Sequence, residues 1–182
     1  MRLFRGGEDP RAFALAMVGV KMADRLLQLG AGDGSLVAAL ATKVGLTGRA
    51  VIVDEHEDGL VRARGAAERE GVLIEFERSS YTSLPYEPDS FDVVVVNGIL
   101  LEAPAESRAA IVISLVRVLR SGGRCLIVDR TRRPGLAGLF SGSPAADPSY
   151  QPEELLRAGG FKAVRTLGEG NGQRFVEGVI KH

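Results

Sequence analysis

One stretch constrains this sequence more than any other: Leu26-Leu27-Gln28-Leu29-Gly30-Ala31-Gly32-Asp33-Gly34-Ser35, an apolar run that ends in glycines at every second position. A helix-like pattern, Leu36-Val37-Ala38-Ala39-Leu40, follows directly. Glycine is needed where a backbone turns sharply or lies against a ligand, because a Cβ would obstruct the approach. A strand that feeds such a loop and then a helix amino-terminus is a common way to build a nucleotide-type site in an α/β sheet.

The remaining pattern fits a sheet of that kind. Ala50-Val51-Ile52-Val53 reads as a buried strand ending at Asp54, and Phe91-Asp92-Val93-Val94-Val95-Val96 as a strand covered on both faces. A leading helix from Pro10 through Lys21 carries Phe13, Met17 and Val20 on one stripe, and further helices are expected over 35–44 and 57–70, the second stopped by Gly71. Residues 72–77 are expected as a third strand. Ile111, Leu115, Val118 and Leu119 repeat at helical spacing until Ser121-Gly122-Gly123, and a fifth strand follows over 124–129. Residues 131–149 read as a loop. Pro152 opens a short helix stopped by Gly159-Gly160, and strands over 161–167 and 174–180 face each other across a turn at 168–172. Five strands alternating with helices, then an antiparallel hairpin, predict one domain with a three-layer α/β sandwich.

Composition narrows the functional classes. The 23 basic and 23 acidic residues balance, which argues against a nucleic-acid surface. The single Cys125 excludes an intramolecular disulfide, and with only His56 and His182 no zinc constellation is expected, so the metal prediction is none. No apolar run is long enough to cross a bilayer. Arg2 and Arg5 precede an apolar segment, but Glu8, Asp9 and Pro10 interrupt it and no small-residue cleavage site follows. The expectation is an amphipathic helix on a cytoplasmic protein.

The glycine loop departs from the dinucleotide fingerprint, because position 35 is Ser and Asp33 would repel a pyrophosphate. This disfavours a nicotinamide-dependent oxidoreductase. Asp33 suits a cationic ligand, or it caps the following helix; the two roles are compatible. Asp54 stands where an acid accepting from ribose hydroxyls is expected, although Glu55, Glu57 and Asp58 crowd the same stretch.

With these residues in hand, the chain resembles a class I S-adenosylmethionine-dependent methyltransferase of the small-molecule type grouped with the ubiquinone/menaquinone-biosynthesis methyltransferases. The matching segments are the loop over 26–35, the stretch over 50–60, Leu84-Pro85-Tyr86 with Ser90-Phe91-Asp92-Val93-Val94, the run over 117–124, and Glu153-Glu154-Leu155-Leu156 through Ala158-Gly159-Gly160-Phe161. The resemblance implies a Rossmann-like, seven-stranded, mostly parallel sheet with an antiparallel terminal strand. It divides the chain into an amino-terminal helix or lid over 1–23 and a methyltransferase-like domain over 24–182. It implies S-adenosylmethionine as cofactor, with Gly30, Ala31, Gly32 and Gly34 approaching its methionine portion and Asp54 taking the ribose. Ser80 and Tyr81 would meet the adenine, and Asn97 with Gly98 would lie beneath the sulfonium.

Three positions depart from the family pattern. Gln28 replaces an acid that helps hold the methionine ammonium, Glu55 replaces an apolar residue that packs on adenine, and Ser80 replaces the acid that receives the adenine amino group. Each change costs about 1 kcal/mol on the scale of one hydrogen bond. The functional expectation is therefore methyl transfer to a small-molecule acceptor, with a non-catalytic methyltransferase-like binding or scaffold domain as the alternative. Methyl transfer needs alignment of the acceptor more than a base, so no catalytic residue is assigned. His56 is placed on the ribose side, away from the acceptor, and Cys125 as a buried hydrophobe. Arg130, Arg132 and Arg133 either bind an anionic acceptor or form a solvated basic loop. Phe13, Met17, Leu136, Leu139, Phe140 and Tyr150 either line an apolar pocket or pack together. So short a lid implies an open site or one completed by a second subunit in a homodimer.

Overall fold

A computed structural model describes residues 10–131, 147 and 149–181. Arg2, Arg5, Glu8, Asp9, Arg132, Arg133, Leu136, Leu139, Phe140 and His182 lie outside the described residues, as does most of the loop expected over 131–149.

The strands are β1 (Arg25–Leu29), β2 (Arg49–Asp54), β3 (Glu75–Arg78), β4 (Phe91–Asn97), β5 (Leu119–Arg130), β6 (Lys162–Gly170) and β7 (Gln173–Val179). They form one seven-stranded sheet in the order β3-β2-β1-β4-β5-β7-β6. β1 to β5 run parallel, and β7 is antiparallel to both of its neighbours. The expected mostly parallel sheet with an antiparallel terminal strand is what forms.

Helices α1 (Pro10–Val18), α2 (Ser35–Val44) and α3 (Glu57–Glu70) cover one face. Leu40 and Val44 of α2 pack with Leu26, Val93, Val95 and Leu126 of the sheet. The opposite face carries α5 (Ala105–Val118) and α6 (Pro152–Ala158), whose Ile111, Leu115 and Leu156 bury Leu27, Val94, Val96 and Ile127. Adjacent residues of β1, β4 and β5 thus serve opposite faces, which is why these strands read as unbroken apolar runs.

Four differences from the sequence reading have local causes. α4 (Ile99–Glu102) is a single turn, too short to show a period. β3 starts later than expected, because the Val72 N–H bonds back to Ala67 O in closing α3. β5 begins at Leu119, directly after α5. Leu119 is fully buried opposite Phe91, so Ser121-Gly122-Gly123 forms an irregular stretch inside the strand.

The fourth difference concerns glycines. β6 extends to Gly170, and the turn is only Asn171-Gly172, both with positive φ (53° and 76°), the two-residue geometry that suits a hairpin. Gly170 is there for another reason: a Cβ on it would sit 2.8 Å from the Phe13 ring. Phe13 packs against this hairpin, its ring centroid 5.6 Å from that of Phe175, and Met17 lies beside Gly168. These two residues of α1 therefore anchor the helix to the sheet.

The amino-terminal end of the sheet is pinned by Asp92. Its carboxylate accepts from the Arg25 backbone N–H (2.7 Å) and from the Arg25 and Arg120 guanidiniums, joining β1, β4 and β5. Burial pushes this carboxyl up, but the bonds from Arg25 and Arg120 outweigh it and hold it at about 2. The folded pKa lies below the unfolded one, so the stabilisation is present above about pH 4 and disappears as pH falls through about 2. Asp92→Asn is expected to cost about 1.5 kcal/mol at pH 7 in urea unfolding. The difference from wild type should shrink steadily as the pH is lowered toward 2.

Candidate functional site

At the opposite, carboxyl end of the strands lies a cavity of about 1000 Å³, large enough for a cofactor-sized molecule with a small partner. It is floored by the loop after β1, the ends of β2, β4 and β5, and the start of α4.

The floor is held by hydrogen bonds between segments. Asp54, 6% exposed at the end of β2, accepts the Ala31 N–H at 2.8 Å and the His56 N–H at 2.9 Å. The Gly30 N–H donates to Val53 O at 3.0 Å. Arg62 of α3 donates through Nε to Gly32 O at 2.7 Å. Gly30 has φ +83°, and a Cβ on it would come within 2.6 Å of Asn97 O and 2.7 Å of the Ile99 side chain. Only glycine lets the loop lie this close to the end of β4.

Gly30, Gly32, Asp54, Glu55, Ser80, Tyr81 and Asn97 all line the cavity. Gln28, Ala31 and Gly34 do not. Gln28 is 0% exposed beneath the loop, and its Nε2 donates to Gly30 O at 2.9 Å while its Oε1 is buried without a hydrogen-bond partner among the described residues. Ala31 is buried against Val37, Ile52 and Ala63, and Gly34 is the residue preceding α2.

Asp33 faces the cavity. Its Oδ1 accepts from the Ser35 hydroxyl (2.6 Å) and the Ser35 N–H (2.9 Å), so it steadies the start of α2 from one residue before Gly34. These bonds hold its carboxyl below the usual range, the hydroxyl contributing most. A negative charge is therefore fixed at the glycine loop.

Glu55 spans to the loop after β3. Its Oε1 accepts from Ser80 Oγ (2.9 Å) and from the Tyr81 N–H (3.0 Å), so the carboxylate absent from position 80 is replaced in space by that of Glu55. Tyr81 is buried, and its carbonyl accepts from Ser114 of α5, while burial raises its phenol above the ordinary range. His56 also lines the cavity, next to Asp54. Cys125 is fully buried, and burial pushes its thiol up to about 12.

Of the two alternatives for Phe13 and Met17, packing is what forms. Phe13 and Met17 pack on the terminal hairpin, and it is Arg11 and Ala14 of α1 that reach the cavity. Tyr150 donates its hydroxyl to Asp129 Oδ2 at 2.8 Å. Arg130 lines the cavity and is exposed. Arg62, Ile111 and Asp129 also line it, and sequence reading missed all three. Arg62 and Ile111 sit on helices where charge and apolar period explain them without a ligand. Asp129 follows the apolar run over 125–128 just as Asp54 follows that over 50–53, and that parallel was the available signal.

Comparison with known proteins agrees with this geometry. Residues 26–123 match the family described as methyltransferase domain, and the chain belongs to it. S-adenosylmethionine is the cofactor of that family. Over 121 residues the chain is 29% identical to the ubiquinone/menaquinone biosynthesis C-methyltransferase UbiE of Escherichia fergusonii, covering 65% of this chain and 47% of that one. It is 31% identical to UbiE of Pseudomonas entomophila, covering 65% and 46%. The chain thus spans about half the length of the curated relatives it matches. A SAM-dependent methyltransferase from Aquifex aeolicus superposes with TM-score 0.77 at 20% identity, over 94% of this chain and 89% of that one. The YcgJ protein from Bacillus subtilis does so with TM-score 0.62 at 19% identity, over 94% and 97%. These likenesses establish the fold. Among the described residues no helix is long and apolar enough to cross a membrane.

The residues suit the family's cofactor. The charge of Asp33 matches a cation, and glycine at 30 and 32 keeps side chains out of this edge of the cavity. Asp54 keeps acceptor capacity, since a carboxylate has about four lone-pair sites and the two backbone N–H groups with the neighbouring Tyr81 hydroxyl do not fill them. Asp54 also has a structural task. Asp54→Ala is expected to lose about 2–4 kcal/mol of stability with no ligand present, because two backbone N–H groups are left without their acceptor. A shift of the urea midpoint in the ligand-free protein measures this.

Proposed function

We propose that this chain binds S-adenosylmethionine in the cavity and transfers its methyl group to a small-molecule acceptor. The observation that carries the reading is the ionised Asp33 carboxylate held at a glycine loop, on the floor of a cavity at the carboxyl ends of the strands. Bound there, the cofactor supplies a methyl group already activated by a sulfonium.

The chain's own residues divide the tasks in this reading. Gly30 and Gly32 leave room for the methionine portion to approach the loop, and Asp33 supplies charge complementary to the sulfonium and ammonium. Gln28, which lies under the loop, and Ala31 and Gly34 act by shaping it. Asp54 accepts from the ribose hydroxyls with its remaining lone pairs. Glu55, with Ser80 and Tyr81, faces the adenine, and Asn97 with Gly98 closes the floor beneath the sulfonium. Alignment of the acceptor and exclusion of water do the rest, so no base is required. The same reading places the protein in the cytoplasm, without a nucleic-acid partner, and with a second copy as the candidate to complete the site.

One observation favours a non-catalytic binding module instead. Glu55 already occupies the Tyr81 N–H, a donor that an adenine ring would otherwise use. The two readings separate experimentally: cofactor binding together with methyl transfer to any acceptor excludes the binding module.

Calorimetric titration with S-adenosylhomocysteine is expected to give a Kd on the order of 10–100 μM, and no binding at millimolar ligand would refute the proposal. Asp33→Asn should weaken S-adenosylmethionine by about three- to tenfold and leave adenosine binding unchanged, since only the former carries the cation. Because the carboxyl is held below its ordinary range, the ratio of wild-type to Asp33→Asn affinity should stay level between pH 8 and pH 5.

A further inference from the structure

The end of the cavity formed by the loop after β3 is short of hydrogen-bond donors, because Glu55 draws them in. Glu55 is exposed and lines the cavity together with Ser80, Tyr81 and Thr82. Its Oε1 accepts the Tyr81 N–H at 3.0 Å and the Ser80 hydroxyl at 2.9 Å. With its proton given to Glu55, Ser80 Oγ is an acceptor toward Thr82. It takes the Thr82 hydroxyl at 3.0 Å and, more weakly, the Thr82 N–H at 3.4 Å. Donors from three successive residues thus converge on one carboxylate oxygen and one hydroxyl.

The other carboxylate oxygen is left over. Glu55 Oε2 has no hydrogen-bond partner among the described residues, and it belongs to a side chain that is open to the cavity. An ionised carboxylate accepts and cannot donate.

The neighbouring polar groups do not restore a donor here. Tyr81 turns its hydroxyl to Asp54 and receives the Glu55 N–H on it at 3.4 Å. Ser79 gives its hydroxyl to Ser83 O at 3.2 Å. Arg78 donates through Nε to Glu55 O at 3.3 Å. With Ser79 it lines a separate concavity of about 260 Å³, not the cavity itself. His56 does line the cavity, but its backbone is tied to Asp54 Oδ1 at 2.9 Å, which keeps it beside Asp54.

The edge of an adenine ring carries a donor, the 6-amino group, next to an acceptor, the ring nitrogen N1. A loop whose donors are spent and whose carboxylate has one open oxygen answers the first and not the second.

We infer that Glu55 reads the base of the bound nucleoside through its exocyclic amino group alone, leaving N1 without a protein donor. Glu55 is the specificity-determining residue at this end, and it acts twice. Oε2 accepts from the amine, and Oε1 withholds the Tyr81 N–H from the ring. For the identity of the ligand this rests on the S-adenosylmethionine reading; the commitment of the donors does not depend on it.

The test titrates the whole chain with adenosine, 1-deazaadenosine (N1 replaced by C–H) and purine riboside (no amino group) by ligand-observed NMR, and with S-adenosylhomocysteine by calorimetry. Wild type should bind 1-deazaadenosine within about twofold of adenosine, and purine riboside about fivefold more weakly, the scale of one hydrogen bond. Glu55→Gln keeps an acceptor for Ser80 and Tyr81 but puts an amide donor in place of Oε2, so adenosine should lose its advantage over purine riboside. Glu55→Ala releases the Tyr81 N–H, and 1-deazaadenosine should then fall about fivefold behind adenosine. Loss of structure does not create such a preference. Wild-type discrimination against 1-deazaadenosine, equal wild-type binding of adenosine and purine riboside, or no nucleoside binding at the solubility limit would each overturn the inference. So would a Glu55→Gln protein that keeps the adenosine preference, or a Glu55→Ala protein that binds adenosine and 1-deazaadenosine equally. If S-adenosylhomocysteine binds but wild type discriminates against 1-deazaadenosine, the Glu55 assignment falls and the cofactor proposal stands. If the nucleosides follow the expected order and S-adenosylhomocysteine does not bind, the cofactor proposal falls and the Glu55 assignment stands.

Discussion

The Asp54 carboxylate is the contact on which the functional end of this molecule depends. It takes one N–H from the loop after β1 and another from the turn into α3, so one buried charge sets two segments that are distant in sequence. Neither N–H has an alternative acceptor within its own strand or helix, because both sit where regular structure ends. The loop geometry that brings Gly30 and Gly32 to the cavity is thereby a consequence of tertiary contact as much as of glycine content. Arg62, reaching from α3 to Gly32 O, reinforces the same junction from the other side.

Around that anchor the site is built from strand ends. β2 and β4 finish in Asp54 and Asn97, and Asp129 is the last residue but one of β5. Asp54 is consumed largely by backbone. Asn97 packs against the glycine loop, with Nδ2 3.5 Å from Gly30 O, a long contact. Asp129 retains an oxygen without a partner. The charged residues that pin the other end of the sheet, centred on Asp92, lie far from this floor, which lets stability and binding be altered separately.

The departures at Gln28, Glu55 and Ser80 look different in three dimensions. Gln28 is sealed beneath the loop, and its amide donates to Gly30 O where a carboxylate would meet the carbonyl with like charge. A glutamine therefore supports the loop here in a way an acid does not. Glu55 and Ser80 compensate each other: the carboxylate is supplied from the β2 side and the hydroxyl donates to it. Read one position at a time they look like losses, whereas the contact between them shows an exchange.

The sequence alone determined the sheet and the place of the site. Continuous β-branched runs demand burial on both faces, and glycines after the first run demand a close approach, so the layers and the loop follow from local chemistry. The segments that escaped were those whose state depends on distant partners. Gly168 and Gly170 looked like turn residues because nothing local shows that Phe13 and Met17 need the space. Leu119 continued a helical period but was claimed by its pairing with Phe91. Tyr150 had the character of an apolar lid residue, yet its hydroxyl is committed to Asp129, a contact between positions 21 residues apart that only folding creates. Which carboxylates are spent on backbone and which remain free is set by tertiary geometry, because a hydrogen bond depends on where a donor lies in space.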